Sequence, residues 1–109
     1  MSFNRDLGLQ PGPGGGVVLD ADERHQVAPG TVHFAVLATL AEVSAAHAVG
    51  LSVVPANVSL QLMRRASPGR LEGRGTVLKA GKRLAVAEGE VRQDGELVAK
   101  ATVTFAILG

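Results

Sequence analysis

Residues 34 to 49 are the part of this sequence that most restricts its fold. The sixteen residues contain neither Gly nor Pro and are rich in Ala, Leu and Val, which predicts a helix of about four turns. Its apolar positions cover every side of the helical wheel, and a helix of that kind is buried on most faces. Gly50 is placed to end it. The rest of the chain must therefore surround this helix.

After Pro55 the pattern changes from a period of 3.6 residues to a period of two. Apolar and polar residues alternate as far as Leu62, which predicts a strand. Three further strands are predicted at residues 71–79, 84–92 and 97–108. Because tight turns separate the segments, we expect the four strands to form an antiparallel meander. A short strand beginning at Val17 precedes the helix.

Residues 8–16 contain five Gly and two Pro, which no helix or central strand tolerates. We therefore predict a Gly/Pro-rich N-terminal segment over residues 1–15 and a single domain over residues 16–109. No second helix is available to cover the sheet, so the economical packing is an α+β fold in which a curved antiparallel sheet wraps around the one long central helix.

The composition excludes several classes of protein. With 11 Lys and Arg against 10 Asp and Glu the net charge is +1, so neither a nucleic acid nor an anionic membrane is an expected partner. The chain has no Cys, and neither a paired-histidine metal motif nor a Gly-rich phosphate loop occurs, so no metal or cofactor is expected. A signal peptide and an apolar run long enough to span a membrane are also lacking. We expect a cytoplasmic protein.

Glu42 is the one acid in the predicted helix. Burying an ionised carboxylate without partners costs several kcal/mol, as an order of magnitude, so this residue requires an explanation. Glu42 either lies on a wet stripe or pairs with His47 or an arginine, or it faces a cleft at a subunit boundary and acts as a general base or nucleophile. Composition alone leaves these alternatives open.

His33 precedes the helix and lies nine residues before Glu42. Beside it are the first free backbone N–H groups of the helix, those of Phe34 and Ala35, with the positive end of the helix dipole behind them. Such donors can polarise a carbonyl, as an oxyanion hole does. The alternative is that His33 is an ordinary capping residue.

Basic residues are concentrated between positions 64 and 83. That interval contains a single acid, Glu72, and seven basic residues. The basic residues are Arg64, Arg65, Arg70, Arg74, Lys79, Lys82 and Arg83. Several lie in predicted turns and at strand ends, where they could contact phosphates. The alternative is a solvated strand face whose charges prevent aggregation of the sheet edges.

The order of the elements and the stretch from Gly30 to Glu42, GTVHFAVLATLAE, resemble the hotdog-fold acyl-CoA thioesterases, in particular the phenylacetate-pathway and 4-hydroxybenzoyl-CoA types. Those proteins have Gly-x-x-His-Gly-Gly, an apolar run, and then Leu-Ala-Asp or Leu-Ala-Glu on the central helix. Residues 62–66, 81–86 and 98–105 are similar to the family's later strand ends, its Gly-Arg-Arg-Leu turn and its closing strand. The resemblance covers roughly residues 16–108 and implies the hotdog fold.

The resemblance implies that Glu42 attacks the thioester carbonyl or activates water, and that the N–H of Phe34, which follows His33, polarises the carbonyl. It implies an acyl-CoA substrate and a homo-oligomer, a dimer or a dimer of dimers, with each active site at the dimer boundary. Asn57 or Ser59 of the partner chain would help to hold the water. The residues implied near the CoA phosphates are Arg64, Arg65, Lys82 and Arg83.

Three departures from the family pattern bear on activity. Phe34 and Ala35 replace the paired glycines, Val27 stands where many relatives have Asn, and Glu42 stands where many have Asp. The leading hypothesis is an acyl-CoA thioesterase that uses Glu42. The alternative is a non-catalytic acyl-CoA-binding or ligand-sensing homo-oligomer with the same architecture.

Overall fold

The computed structural model describes residues 2–108. Met1, where the predicted N-terminal segment begins, and Gly109, where the predicted domain ends, lie outside the described residues. Two helices and eight strands follow one another along the chain, in the order α1 Phe3–Leu7, β1 Gln10–Pro11, β2 Val17–Ala21, β3 Gln26–Ala28, β4 Thr31–Val32, α2 Phe34–Val49, β5 Val53–Leu62, β6 Gly69–Ala80, β7 Leu84–Gln93 and β8 Glu96–Ile107. Single 3-10 turns lie at Pro13–Gly15 and Glu23–His25.

The main sheet has six antiparallel strands in the order β1-β2-β6-β7-β8-β5, and β3 and β4 form a small separate hairpin. The strands β6, β7 and β8 form the predicted meander, but the prediction was wrong for β5, which pairs with β8 at the far edge. The loop between β5 and β6 crosses the ends of β8 and β7 instead of turning back as a hairpin. Gln93 fastens it there, since its amide accepts from the N–H of Ser67 and donates to the carbonyl of Ser67.

The central helix α2 has the predicted bounds. His33 caps its start, and Gly50 ends it in the left-handed conformation, with φ 74° and its N–H donating to the carbonyl of Ala46. The helix lies on the concave face of the sheet, mainly against β6, β7 and β8. Its contact face is apolar and buried, with Leu37, Leu40 and Ala41 turned toward the sheet. The predicted curved sheet around one long helix is confirmed.

Two glycines let the helix backbone approach the sheet. Gly75 of β6 and Gly89 of β7 lie directly opposite each other. A Cβ atom at position 89 would lie 1.8 Å from the carbonyl oxygen of Ala41, and one at position 75 would lie 2.1 Å from that of Ser44. Neither position can carry a side chain without displacing the helix. The two glycines therefore set the depth at which α2 lies in the sheet.

The Gly/Pro-rich N-terminal segment folds against the sheet. Its strand β1 pairs with the edge of β2, a position where the missing N–H of Pro11 costs nothing, and Leu7 and Leu9 pack against the core. The buried ring of His25 fastens the segment, because its Nε2 is 2.7 Å from the carbonyl oxygen of Leu7. Its Nδ1 accepts a hydrogen bond from the N–H of Asp22. Both ring nitrogens are thus occupied by structural hydrogen bonds.

We expect the substitution Gly89→Ala to destabilise the protein by about 3 kcal/mol, the upper end of the range for overpacking, because the added methyl group meets helix backbone that no side-chain rotation can move. Chemical denaturation of both proteins measures the difference. Gly81→Ala is the control, since its Cβ would be no closer than 3.3 Å to another atom. Equal free energies of unfolding for the Gly89 variant and the control would contradict this account of how the helix is positioned.

Candidate active site

Glu42 lies in the middle of α2 and is half-buried. It shares a flank of the helix with Ala38, one turn earlier. The opposite flank carries Val43 and His47, which line a small cavity together with Val17 of β2. The Glu42 flank is therefore turned toward the other side of the sheet, where β5 lies.

Burial raises the pKa of the Glu42 carboxyl above its usual value of 4.5. Within residues 2–108 the carboxylate forms neither a hydrogen bond nor an ion pair. The predicted alternative of a pairing with His47 is not what the structure has, because His47 lies on the other flank. Glu42 is thus a partly desolvated carboxylate with its acceptor oxygens unused.

Strand β5 presents an aliphatic row beside the Glu42 flank. Val58, Leu60 and Leu62 lie opposite core residues of β8 and so share the concave face of the sheet. The row is poorly covered, since Val58 is 45% exposed and Leu62 53% exposed. No strand among the described residues pairs with the outer edge of β5. This side of the molecule therefore has both a free edge and an apolar surface.

Asn57 and Ser59 lie opposite Thr104 and Thr102 of β8, on the convex face of the sheet. Their side chains point away from the face that carries α2 and Glu42. The structure does not bring these two predicted water-holding residues together with Glu42 within one chain.

The start of α2 leaves one backbone donor free. The Nδ1 atom of His33 accepts from the N–H of Ala35 at 3.0 Å, and the carbonyl of His33 accepts from Val36 at 3.0 Å. Of the two N–H groups expected to be free, that of Ala35 is thus occupied. The N–H of Phe34 has no acceptor in the part of the chain that the structure describes. His33 is a capping residue, and Phe34 carries the unused donor.

A cavity of about 410 Å³ lies beside this donor. It opens to solvent and is bordered by the β3–β4 hairpin, the first turn of α2 and the loop that follows β5. Its lining residues are Val27, Thr31, Val32, Phe34, Leu37, Leu62, Met63, Arg64, Arg65 and Ala66. Leu37, Leu62 and Met63 were not predicted as cavity residues. Their apolar character indicated only a core, because the position of β5 at the sheet edge was not foreseen.

Glu42 is not part of this cavity wall. It follows Phe34 by eight residues, or about 12 Å along the helix axis. A carbonyl oxygen that accepts from the Phe34 N–H lies about 3 Å from the nitrogen. The Phe34 N–H points out of the N-terminal end of the helix, away from Glu42, so the two groups of one chain do not reach the same carbonyl.

The predicted basic cluster is divided by the fold. Arg70 pairs with Asp20, and Arg74 donates to the carbonyls of Pro13 and Gly14. Arg64 and Arg65 line the cavity, whereas Lys82 and Arg83 lie in the turn at the other end of β6, about 36 Å away along the strand. Among residues 2–108, Arg64 forms an ion pair with Glu96 at 2.7 Å. Arg65, Lys82 and Arg83 form no ion pair there.

Two other kinds of site are absent from residues 2–108. No group of three His, Cys, Asp or Glu side chains there is arranged to hold a metal ion. Neither helix has the length and apolar character needed to cross a membrane.

The model of the acyl-CoA thioesterase N-terminal domain matches residues 21–106. The chain belongs to this acyl-CoA thioesterase family. The match confirms the resemblance drawn from the stretch Gly30 to Glu42, and the protein is accordingly an enzyme of the acyl-CoA thioesterase class. A comparison with curated proteins found no match.

Solved structures support the family and the fold. A protein of the thioesterase superfamily is 31% identical, with a TM-score of 0.88 over 99% of this chain and 90% of that one. A conserved protein from Pseudomonas aeruginosa is 30% identical, with a TM-score of 0.85 over 99% of this chain and 94% of the other. A mutant of the phenylacetic acid degradation protein PaaI from Thermus thermophilus is 29% identical, with a TM-score of 0.85 over 97% of this chain and 98% of that one. This acyl-CoA thioesterase thus has the hotdog fold.

We expect Glu42→Gln to raise the melting temperature at pH 7, because Gln avoids the cost of keeping an ionised carboxylate half-buried. The pKa of Glu42 is raised in the folded state, so the wild type lacks this cost at low pH and acquires it as the pH rises through the folded pKa. The difference in melting temperature between the two proteins should therefore shrink as the pH falls to 4.5 and below. Thermal unfolding at several pH values measures it.

Glu88→Gln is the matched control for this measurement, since Glu88 pairs with Lys100 at 3.2 Å on the convex face. Its removal should not stabilise the protein at pH 7. A Glu42 variant that is less stable than wild type at pH 7 would contradict the account of an unpartnered, desolvated carboxylate.

Proposed function

We propose that the enzyme hydrolyses acyl-CoA thioesters in a site shared by two chains, with the Phe34 N–H of one chain and Glu42 of its partner. The observation that carries the proposal is that two unused groups, the Phe34 N–H and the Glu42 carboxylate, belong to residues about 12 Å apart along the axis of one helix. Each is unpartnered within its own chain, and only a second chain can bring them to the same carbonyl.

The dimer that we propose forms through the free edge of β5. Antiparallel pairing of β5 with its copy about a two-fold axis satisfies the exposed backbone groups and continues the sheet. It also brings the two α2 helices side by side, in opposite directions, and covers the row of Val58, Leu60 and Leu62. Because the Glu42 flank faces the same side, the carboxylate comes to lie at the boundary between the chains.

In the proposed reaction the Phe34 N–H donates a hydrogen bond to the thioester carbonyl oxygen and stabilises the negative charge that develops on it. Glu42 of the partner accepts a proton from water as the water oxygen bonds to the carbonyl carbon. The C–S bond then breaks, the proton passes to the thiolate, and the products are a carboxylic acid and CoA. Alternatively the carboxylate itself attacks the carbonyl, and water hydrolyses the resulting anhydride.

The two routes differ in where the oxygen of water enters. A single turnover in ¹⁸O-labelled water places the label in the released acid in the first route. In the second, water that attacks the glutamyl carbonyl leaves the label in Glu42.

His33 acts in this proposal as a positioning residue. By accepting from the Ala35 N–H, its side chain occupies one of the free donors of α2 and fixes the first turn, so that the Phe34 N–H remains the unused one.

We propose that Lys82 and Arg83 contact the CoA phosphates. Neither forms an ion pair in the described chain, whereas the charge of Arg64 is offset by Glu96. The Arg83 carbonyl accepts from Ile107 beside the first residue of β5, so pairing about the two-fold axis carries this turn toward the cavity of the partner. Arg64 and Arg65 border the cavity and would flank the bound CoA.

The sequence also left open a non-catalytic acyl-CoA-binding or ligand-sensing homo-oligomer, which the family match makes the weaker candidate. Val27 favours this alternative, because it places an apolar side chain in the cavity wall at the position where the resemblance has Asn. Binding of acyl-CoA without release of thiol would establish this alternative. Since the chain has no Cys, a free-thiol assay has no background from the protein.

Two inactive variants should restore activity when their chains are mixed. Phe34→Pro removes the N–H at the first helical position, where Pro is tolerated, and His33 already has the extended conformation that a following Pro requires. Glu42→Ala removes the carboxylate. In a mixed dimer one of the two sites has both wild-type groups. Random exchange makes about half of the dimers mixed, so about a quarter of the wild-type kcat should return.

Thiol release after subunit exchange measures the restored activity, and each variant incubated alone is the control. If the mixture stays inactive although native mass spectrometry detects mixed dimers, the shared site is wrong. If Glu42→Ala alone keeps the parental rate, Glu42 is not the acid–base group or nucleophile.

Reversing the charges of Lys82 and Arg83 to Glu should raise the KM for acyl-CoA by at least about tenfold, because a hydrogen bond to a charged group contributes about 1.5–3 kcal/mol. The KM should also become less sensitive to salt. The double variant Arg70→Glu/Arg92→Glu makes the same change in net charge at two arginines that are already ion-paired. An equal rise in KM in both double variants would refute phosphate contacts by the turn.

A further inference from the structure

Phe34 contributes two groups to the same place. Its backbone carries the unused N–H, and the residue, which is 56% exposed, lines the adjacent cavity with Leu37 and Leu62. A carbonyl carbon held at the N–H therefore lies next to the ring. The first atoms of whatever enters the cavity from that carbonyl must pass this side chain.

The ring of Phe34 has a fixed support. It stacks on the ring of His33, with 4.8 Å between the centroids and 29° between the planes. The His33 ring is itself held, because its Nδ1 accepts from the N–H of Ala35 at 3.0 Å. Movement of the Phe34 ring out of the cavity would break the stacking contact. The stacking contact therefore favours the position of the ring beside the cavity.

The chemistry of the cavity wall indicates which end of the substrate enters it. Seven of its ten residues are apolar, and the polar side chains come from Thr31, Arg64 and Arg65. The pantetheine arm of CoA carries two amides and a hydroxyl, and each costs free energy if it is buried without a hydrogen-bond partner. An alkyl or aryl chain has no such groups. The acyl group therefore fits this wall better than pantetheine does.

We infer that the Phe34 side chain is the size filter of the enzyme and restricts it to compact apolar acyl groups, such as short aliphatic chains. This inference rests on the proposed function, because it takes the Phe34 N–H as the group that binds the carbonyl. The glycine that the resemblance places at this position has no side chain, so the filter is a property of this chain's own residue. Substrates with long acyl chains meet the ring before they fill the cavity.

The test is kcat/KM for a series of saturated acyl-CoA thioesters from acetyl to dodecanoyl. In the wild type we expect a rise of about fourfold per methylene while the chain gains apolar contact, followed by a decline once it meets the ring. In Phe34→Ala the ratio of kcat/KM for decanoyl-CoA to that for butanoyl-CoA should increase at least about tenfold. Phe34→Leu should lie between the two.

Phe3→Ala is the matched control, since Phe3 is also an exposed aromatic residue but is absent from the cavity wall. It should leave the ratio unchanged. Melting temperatures establish that each variant is folded, which the exposure of Phe34 makes the expected result.

Two results would overturn the filter. One is an unchanged length profile in Phe34→Ala, and the other is an equal change of KM at every length, which would place the ring against pantetheine. If the wild type hydrolyses no member of the series, the proposed function fails instead. The dissociation constants of the same series, measured by calorimetry, then decide whether the Phe34 filter holds for binding.

Discussion

The direct contact between helix backbone and sheet backbone at Gly75 and Gly89 sets the depth of α2 in the sheet, and the candidate site depends on that depth. Because no side chain separates the strands from the carbonyls of Ala41 and Ser44, α2 lies deep in the concave face. A helix at that depth buries its lower side in an aliphatic core with Leu40 at its centre. Its flanks stay near the surface, so a carboxylate on one flank is partly desolvated without being enclosed.

The local sequence pattern was sufficient to predict elements whose limits depend on residues that are close together in the chain. The helix from Phe34 to Val49 was placed correctly, since its limits depend on the composition of the stretch and on Gly50. The position of β5 was not predicted, because strand order depends on contacts between distant residues. The amide of Gln93 holds the crossing loop at Ser67, and neither residue marks such a contact in the sequence.

The features of the candidate site were likewise predicted only in part. Glu42 was identified from its residue type alone, as an acid in an apolar helix. The state of the individual donors at the start of α2 required coordinates, since the His33 side chain engages the Ala35 N–H and leaves that of Phe34. The basic residues are close together in sequence but separated in space, because the full length of β6 lies between Arg65 and Lys82. Spacing along a chain does not reveal such a division when a long strand lies within it.

The two borders of the main sheet are unlike each other. On one side the short strand β1 pairs with β2, and Pro11 has no N–H to offer a further strand. The hydrogen bond between His25 and the Leu7 carbonyl holds this N-terminal segment in place. The ten-residue edge of β5 offers another strand far more backbone than the two-residue β1 does. A sheet with two open borders can add copies at both ends and grow without limit, whereas a sheet with one open border stops when two copies have met. In the dimer proposed through β5, the covered β2 border would keep further copies from adding to the sheet, so that assembly through the sheet would end with the pair.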